Sequence, residues 1–204
     1  MKFDTNKFWA EYNKQFGHAP HGPEQNATEQ LLGFMENDAQ LERLEWAAYL
    51  LATIRNEVGS NMLPIKEKKA KPGSYVWENY QKKYWNTGFY GRGYSQLTLE
   101  GNYRQFGKLL GMDLVKNPDL VLEPKVGYEI LATGCVRGLF RGRTKAQGGG
   151  RYKLADFLNS KKKDYISARL IVNGIAGPPA KQAALNVGNY GEQYEACLRA
   201  ASVS

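Results

Sequence analysis

The sequence predicts a mostly helical fold, and three observations favour this class. Residues 41–57 carry apolar side chains at steps of three and four, which is the period of one face of an α-helix. Runs in which β-branched residues alternate with polar ones are few, which disfavours an all-β fold or a Rossmann sheet. Hydrophobic residues make up 42% and charged residues 24% of the chain, a composition typical of a protein that buries a core.

The first half of the chain is predicted to combine helices with one long irregular segment. Three helices are predicted, at residues 5–15, 28–36 and 41–57. Thr28 is the expected N-cap of the second helix, and Gly59 is expected to end the third, which is the central core helix. From Gly59 to about Tyr90 prolines, glycines, aromatic residues and lysines alternate without a period, so this stretch is predicted to be a loop.

The second half is predicted to hold four more helices. The first runs from just after residue 98 to residue 110, and the other three span residues 124–140, 165–173 and 182–201. The first of them is expected to stop at Gly111 and to turn Leu99, Tyr103, Phe106, Leu109 and Leu110 inward. Pro124 suits the first position of the next helix, and Gly142 to Gly150 is predicted to be a flexible, basic, glycine-rich loop.

Length and charge limit the possible organisation and partners. With 204 residues, no internal repeat and no evident linker, the chain is expected to form a single domain. A charge close to the first residue and the absence of an 18-residue apolar run predict no cleavable export signal and no membrane span. The net charge of +8 favours polyanionic partners such as nucleic acid, anionic lipid or bacterial wall polymers.

The inventory of reactive side chains leaves few chemistries open. The two histidines, His18 and His21, lie in a loop rich in glycine and proline, which disfavours a zinc site or a serine or cysteine triad. No phosphate-binding or dinucleotide-binding glycine motif is complete, so no cofactor and no metal are predicted. Cys135 and Cys197 both lie in apolar helical segments, which favours free buried thiols over a disulfide.

Two glutamates stand out by their positions. Glu57 is the last polar residue of the central apolar helix, where partial shielding from water favours the protonated form that a general acid needs. Glu67 follows ten residues later between Lys66 and Lys68, and neighbouring cations favour the ionised form that a general base needs. By position alone, a glutamate at a helix end is more often a solvated or salt-bridged residue.

Several ordered motifs resemble the catalytic core of glycoside hydrolase family 19, which contains chitinases and related phage-type endolysins. The matching stretches are WAAYLLATIRNEVG (46–59), LPIKE (63–67), FYGRGYSQLT (89–98) with Asn102 and Tyr103, GMDLVKNPDL (111–120) and ARLIVNG (168–174). The resemblance covers about residues 44–200. Asn56 and Val58 depart from the histidine and threonine that usually flank the acid in the family.

The resemblance implies a role for each matching residue. Glu57 matches the general acid, Glu67 the general base, and Thr98 the hydroxyl that helps to hold the attacking water, with Glu78 as the rival for the base. The residues predicted to bind substrate are Gln96, Asn102, Asn173, Tyr90 and Arg92. From residue geometry, Tyr94, Gln96 and Thr98 are expected to face one way along an extended segment. Simpler interpretations are that Thr98 is the N-cap of the next helix and that Asn173 caps a helix end with Gly174.

The resemblance also implies an all-α, two-lobed lysozyme-like fold with the cleft between the lobes, and an inverting mechanism. The expected protein is one catalytic domain over residues 1–204 without a separate wall-binding module. It is expected to be a peptidoglycan-degrading endolysin that cleaves between N-acetylmuramic acid and N-acetylglucosamine. The alternatives are a chitinase, a non-catalytic sugar-binding protein or a nucleic-acid-binding protein.

The expected partners are the glycan strands of bacterial peptidoglycan, with no nucleic acid and no stable membrane insertion, and the expected state is a monomer. The protein is expected to be made in a bacterial host cytoplasm and to act at the cell wall or periplasm.

Overall fold

The computed structural model describes residues 1–142 and 149–203, and the chain forms two compact units. The first unit comprises residues 1–62 and 131–204, and the second comprises residues 63–130. The α-helices are, in chain order, α1 (Thr5–Phe16), α2 (Gly22–Glu36), α3 (Leu44–Val58), α4 (Tyr75–Asn79), α5 (Glu100–Leu110), α6 (Pro124–Arg137), α7 (Tyr165–Ala168) and α8 (Pro178–Ala201). Short 3₁₀ helices span Gln81–Lys83, Trp85–Thr87, Pro118–Leu122, Leu154–Asp156 and Arg169–Ile171, and two strands, β1 (Ile65–Lys66) and β2 (Arg92–Gly93), pair antiparallel.

The first unit is built around α3. Every residue from Trp46 to Ile54 is buried, because this helix is apolar around most of its circumference and packs chiefly against α8. Two of its polar side chains find backbone partners inside the core. The Trp46 indole donates to the Leu158 carbonyl at 2.8 Å, and the Tyr49 hydroxyl donates to the Ala168 carbonyl at 3.0 Å.

A buried polar network joins the last turn of α3 to three other helices. Arg55 donates to the Glu24 carboxylate of α2, to the Tyr12 hydroxyl of α1 at 3.0 Å and to the Tyr194 hydroxyl of α8 at 3.4 Å. Glu24 is fully buried, and Tyr12 also donates to it. The Arg55 guanidinium further stacks on the Phe16 ring at 4.7 Å. The network supplies the buried carboxylate and guanidinium with the partners that a charge outside water requires.

The second unit is organised around a short β-pair and α5. Tyr103, Phe106 and Gly107 form the buried face of α5, and Gly107 lies so close to the Met112 carbonyl that a Cβ there would approach it to 2.6 Å. In the β-pair, Ile65 faces Gly93 and Lys66 faces Arg92. This pairing fixes the residues that directly precede and follow the strands.

Most of the predicted elements are confirmed. The protein is mostly helical, the first and third predicted helices match α1 and α3 closely, and Pro124 is the first residue of α6. Gly59 and Gly111 follow α3 and α5, and Gly111 has the left-handed φ of 67° that favours glycine at a helix end.

The cysteines are also as predicted. Cys135 and Cys197 are free and buried. Burial raises the pKa of Cys197 to about 12 and raises that of Cys135 above its usual range, so neither thiol ionises at neutral pH.

Helix α2 starts earlier than predicted. It begins at Gly22, with His21 as the N-cap whose Nδ1 accepts from the Glu24 amide, and Thr28 is buried within the helix. The expected cap at Thr28 is therefore wrong, because Pro23 suits the first turn and its fixed φ starts the helix there.

Other boundaries and orientations also differ from the expectation. Helix α6 stops at Arg137 because Gly138 adopts a φ of 67°, and α8 begins at Pro178, four residues early. Leu99 and Leu109 are exposed rather than inward, since α5 buries a narrower face than predicted. The predicted loop between residues 59 and 90 contains β1, α4 and two 3₁₀ helices, and the predicted helix at 165–173 is a short α-helix continued by a 3₁₀ turn.

Some expectations stay predictions. Most of the predicted loop from Gly142 to Gly150 lies outside the described residues, and the cleft between the lobes stays a prediction. Within the described ranges, no helix has both the length and the apolarity that crossing a membrane requires. Among the same residues, no group of three or more histidine, cysteine, aspartate or glutamate side chains is arranged to hold a metal ion.

Tight packing of α8 against Tyr165 leads to a stability prediction. A Cβ on Gly191 would lie 2.5 Å from the Tyr165 ring, so Gly191→Ala is expected to lower the free energy of unfolding by about 1–3 kcal/mol. Gly33→Ala in α2 is the matched control, since nothing lies within 4 Å of its new methyl group, and it is expected to raise stability by about 0.5–1 kcal/mol. Urea denaturation measures both changes, and equal effects at the two positions would contradict the packing.

Candidate active site

Glu57 lies in the last turn of α3 and is held by an arginine. Its side chain is 13% exposed, and its Oε1 accepts from Arg169 Nη1 at 2.8 Å and from Asn56 Nδ2 at 3.1 Å. The Arg169 side chain is itself 7% exposed. Because this contact joins two nearly buried groups, it fixes the direction of the Glu57 carboxyl.

The position of Arg169 is set by the segment that precedes it. Asp164 caps α7 by accepting from the Ser167 amide at 2.9 Å, and the Tyr49 hydroxyl of α3 donates to the Ala168 carbonyl. Helix α3 therefore contacts this segment at two points, once through Tyr49 and once through Glu57. Arg169 was not predicted as a site residue, although it lies inside the motif at residues 168–174.

Asn173 lies one turn after Arg169 and is exposed. Its backbone N–H donates to the Arg169 carbonyl at 2.9 Å, and its side-chain Oδ1 accepts from the Gly174 backbone N–H at 2.9 Å. These bonds fit the simpler interpretation that Asn173 ends a helical turn, and its exposed side chain also suits the predicted role in sugar binding. Within the first unit, Arg169 therefore connects the predicted acid with a predicted substrate-binding residue.

Glu67 follows β1 and is fixed by three donors. Its Oε1 accepts from Gln81 Nε2 at 2.7 Å and from the Tyr84 hydroxyl at 2.7 Å, and its Oε2 accepts from the Gly91 amide at 2.9 Å. Burial and the hydrogen bond to Glu67 raise the pKa of Tyr84, so this phenol stays protonated and donating at neutral pH. Both carboxylate oxygens are therefore held in one orientation.

Gly91 is required beside Glu67. The Glu67 amide donates to the Gly91 carbonyl at 2.8 Å, which extends the β-pair by one residue. A Cβ on residue 91 would lie 2.9 Å from Gln96 Oε1 and 3.2 Å from the Glu67 Oε2. Only glycine lets the two polar side chains approach this backbone together.

Of the two neighbouring lysines, Lys66 pairs with another carboxylate, and its predicted effect on Glu67 stays a prediction. Side chains at consecutive positions of an extended strand point to opposite faces, and Lys66 Nζ binds Asp119 Oδ2 at 2.7 Å rather than Glu67. The groups that contact the Glu67 carboxylate are Gln81, Tyr84 and Gly91. Gln81 and Tyr84 were missed because nothing in the sequence around them distinguishes a buried amide donor and a partly buried phenol from an ordinary polar loop.

Glu78, the rival for the base, lies in a different environment. It belongs to the short helix α4, its side chain is 45% exposed, and it pairs with Lys82 at 2.9 Å one turn later. Such an exposed pair between residues four apart contributes little and orients the carboxylate weakly. The contrast favours Glu67 as the base, and the assignment stays a prediction.

The segment from Gly91 to Thr98 forms a tight turn rather than an extended strip. Arg92 and Leu97 exchange both backbone hydrogen bonds, and Gln96 has a left-handed φ of 51°. As a result Tyr94 is buried, whereas Gln96 and Thr98 remain partly exposed. The expectation that Tyr94 shares their face is wrong because the chain reverses between them.

Gln96, Thr98 and Asn102 are joined by hydrogen bonds. Gln96 Nε2 donates to the Ile65 and Gly93 carbonyls, Thr98 Oγ1 donates to the Gln96 carbonyl at 2.8 Å, and Asn102 Nδ2 donates to the Thr98 carbonyl at 2.7 Å. Leu99, not Thr98, is the N-cap of α5, so the capping interpretation of Thr98 is wrong. The second unit therefore brings these three residues together with Glu67.

Arg92 and Tyr90 are occupied by contacts within the second unit. Arg92 is 3% exposed, its Nε binds Asp119 Oδ1 at 2.7 Å, and its Nη1 donates to the Tyr103 hydroxyl at 3.0 Å. Its guanidinium lies 3.9 Å from the centre of the Tyr90 ring, on which Trp85 also stacks at 4.6 Å. Substrate binding by Tyr90 and Arg92 stays a prediction, while their described contacts support the turn that carries Gln96.

The fold is shared with solved structures of chitinases. Chitinase C from Streptomyces griseus HUT6037 is 22% identical, with 91% of both chains covered and a TM-score of 0.53. A bacterial family 19 chitinase is 19% identical, with 93% of both chains covered and a TM-score of 0.51. At this level of identity the likeness shows a common fold.

Sequence comparison places the chain in a family. The chain is 35% identical over 89 residues to Chitinase 8 of Oryza sativa subsp. japonica. This aligned segment covers 44% of this chain and 33% of that protein. A shorter segment of 35 residues is 60% identical to the acidic 27 kDa endochitinase of Solanum lycopersicum. It covers 17% of this chain and 14% of that protein. The family described as class I chitinase matches residues 27–130, about half of the chain, which therefore belongs to glycoside hydrolase family 19.

The hydrogen bonds of Gln81 lead to a prediction about the loop around Glu67. Gln81 is buried, its Nε2 also donates to the Lys68 carbonyl, and its Oε1 accepts from the Ala70 amide. Gln81→Leu therefore removes the hydrogen-bond partner of both backbone groups. Loss of buried partners costs about 1–3 kcal/mol, and hydrogen exchange at the Ala70 amide is expected to accelerate roughly tenfold or more. Gln182→Leu, at an exposed glutamine of α8, is the control, and unchanged protection of Ala70 in Gln81→Leu would refute the role of Gln81.

Proposed function

We propose that this protein hydrolyses the glycosidic bonds of an N-acetylated amino-sugar polymer, with Glu57 as the general acid and Glu67 as the general base. The observation that carries the proposal is the contrast between the two carboxyl groups. Glu57 is nearly buried at the end of a core helix, whereas Glu67 is partly exposed and fixed by three hydrogen-bond donors. Two carboxyl groups in such different environments suit two different roles in proton transfer.

In the proposed reaction each glutamate moves one proton. Glu57 protonates the glycosidic oxygen as the bond to the anomeric carbon breaks. Glu67 accepts a proton from a water molecule as that water attacks the opposite face of the sugar, so the product forms with inverted configuration. The Thr98 hydroxyl donates to the Gln96 carbonyl, which leaves its oxygen able to accept a hydrogen bond from the attacking water.

Arg169, Gln81 and Tyr84 act as positioning residues in this proposal. Arg169 holds Glu57, while Gln81 and Tyr84 hold Glu67. Predetermined directions of the acid and the base reduce the reorganisation that the transition state would otherwise require.

For the substrate we propose peptidoglycan, cleaved between N-acetylmuramic acid and N-acetylglucosamine at the bacterial wall or in the periplasm. The net charge of +8 supports this choice, since bacterial wall polymers are anionic and chitin is neutral. A chitinase is the second candidate, and the names of the similar proteins favour it.

The role of Glu57 is tested by a matched pair of variants on one helix. Glu57→Gln is expected to stay folded and to lower the turnover number by about 10²- to 10⁴-fold, because an amide cannot donate the required proton. Glu45→Gln is the control, since Glu45 lies in the first turn of α3 and is 15% exposed, almost as Glu57 is. Release of reducing ends measures turnover, and a Glu57→Gln protein with more than about a tenth of the original rate would exclude this acid.

The identity of the base is tested by comparing Glu67→Gln with Glu78→Gln. Glu67→Gln is expected to lose nearly all turnover, whereas Glu78→Gln is expected to keep it, because Glu78 is exposed and forms a surface ion pair with Lys82. Circular dichroism checks that both variants are folded. An inactive Glu78→Gln beside an active Glu67→Gln would reverse the assignment.

The substrate is tested with two polymers across a salt series. Clearing of purified bacterial walls is expected to be fast at low salt and to fall as salt shortens the Debye length below about 10 Å, because the attraction of a basic protein to an anionic wall is screened. Hydrolysis of a neutral chitin oligomer, measured in parallel, is expected to be slower and nearly independent of salt. Rapid chitin cleavage with intact walls would identify the protein as a chitinase.

A further inference from the structure

Beyond the residues already assigned, one arginine lies directly on the turn that carries Asn173. Arg141 Nη1 is 2.7 Å and its Cζ is 3.7 Å from the position that a Cβ would take on Gly174. The guanidinium therefore packs against the bare backbone of Gly174, the residue whose amide binds Asn173 Oδ1. Any side chain at residue 174 would displace it.

The backbone at Arg141 is held from both sides. Its amide donates to the Ile171 carbonyl at 3.2 Å, and its carbonyl accepts from the Tyr152 amide at 3.2 Å. The Arg151 guanidinium donates to the Leu139 carbonyl just before it. The backbone from which the Arg141 side chain extends is therefore fixed, although the side chain itself is exposed.

The two arginines that contact Asn173 or its neighbour Gly174 differ in their partners. Arg169 is nearly buried and pairs with Glu57 at 2.8 Å. Arg141 is exposed, and no carboxylate in the described part of the chain lies within ion-pair distance of its guanidinium. One arginine therefore orients the predicted acid, and the other presents an unneutralised charge beside a predicted sugar-binding residue.

We propose that Arg141 binds a carboxylate of the glycan substrate and selects acidic strands over neutral ones. The planar guanidinium offers two parallel N–H groups that match a carboxylate. Peptidoglycan supplies carboxylates either on the lactyl group of N-acetylmuramic acid or on its peptide stem, whereas chitin supplies none. This proposal rests on the proposed function, and it places a determinant of substrate specificity on the acid-bearing unit.

Binding to three soluble ligands tests the proposal in the Glu57→Gln background, where hydrolysis does not consume them. The ligands are a peptide-free oligomer of N-acetylglucosamine and N-acetylmuramic acid, the same oligomer carrying its stem peptides, and a neutral N-acetylglucosamine oligomer of equal length. Arg141→Gln is expected to raise the dissociation constant for an acidic ligand roughly five- to tenfold and to leave that for the neutral ligand unchanged. The acidic ligand that shows the change identifies the source of the carboxylate.

Further variants separate this role from a general loss of charge or of folding. Gly174→Ala displaces the guanidinium without removing it, so it is also expected to raise the dissociation constants of the acidic ligands. Arg141→Lys keeps the charge and is expected to bind these ligands more tightly than Arg141→Gln does. Lys161→Gln removes an equal charge and is the control. The Lys161 amide binds Asn159, which follows Leu158 in the chain, and the Leu158 carbonyl accepts from Trp46. Trp46 lies about 16 Å along α3 from Glu57, so Lys161→Gln is expected to change no dissociation constant.

The outcomes distinguish this proposal from the proposed function. The specificity role is overturned if Arg141→Gln weakens the binding of acidic and neutral ligands equally, or weakens the binding of neither. This holds even if the unmodified protein clears bacterial walls. A protein that hydrolyses neither walls nor chitin overturns the proposed function. Preferential loss of acidic ligands in both Arg141→Gln and Gly174→Ala supports Arg141 as the selecting residue.

Discussion

The first unit depends on the burial of α3. A helix that is apolar on nearly all sides is stable only when other elements surround it, and α8 together with the segment around Leu158 and Ala168 does so. This burial leaves little freedom for the last turn. Glu57 can therefore sit nearly buried beside Arg169 with its carboxyl in a defined direction.

The second unit achieves a fixed carboxylate without a comparable core helix. Its β-pair is only two residues long, so hydrogen bonds from side chains supplement the backbone bonds. Glu67 is bound by a buried glutamine, a phenol and a backbone amide, while Arg92 and Asp119 hold the adjoining turn. Hydrogen bonds within a mostly irregular segment thus take the place that apolar packing has around Glu57.

The sequence predicted those parts of the protein that follow a period or a strong local signal. The apolar stripe predicted α3, and glycines at 59 and 111 predicted two helix ends. The position of Glu57 at the end of a buried helix also followed from the stripe. These features depend on residues close together in the chain, which is why pattern alone was sufficient.

Features that depend on distant residues were not predicted. Arg169 binds Glu57 although the two residues are 112 positions apart in the chain. Lys66 binds Asp119, 53 positions away, rather than the adjacent Glu67. The reversal at Gln96 was missed because a non-glycine residue there adopts a positive φ, which composition does not reveal. Local propensity carries no information on such pairings, and tertiary contacts decide them.

The buried network around Arg55 bears on where this enzyme can be shortened. The family match begins at residue 27, yet the carboxylate that neutralises Arg55 belongs to Glu24, and a phenol that binds it belongs to Tyr12. A protein trimmed to the family boundary would retain a guanidinium two residues before Glu57 with neither of those partners. The N-terminal helices therefore belong to the minimal folding unit, although they lie outside the motifs that resemble the catalytic core of the family.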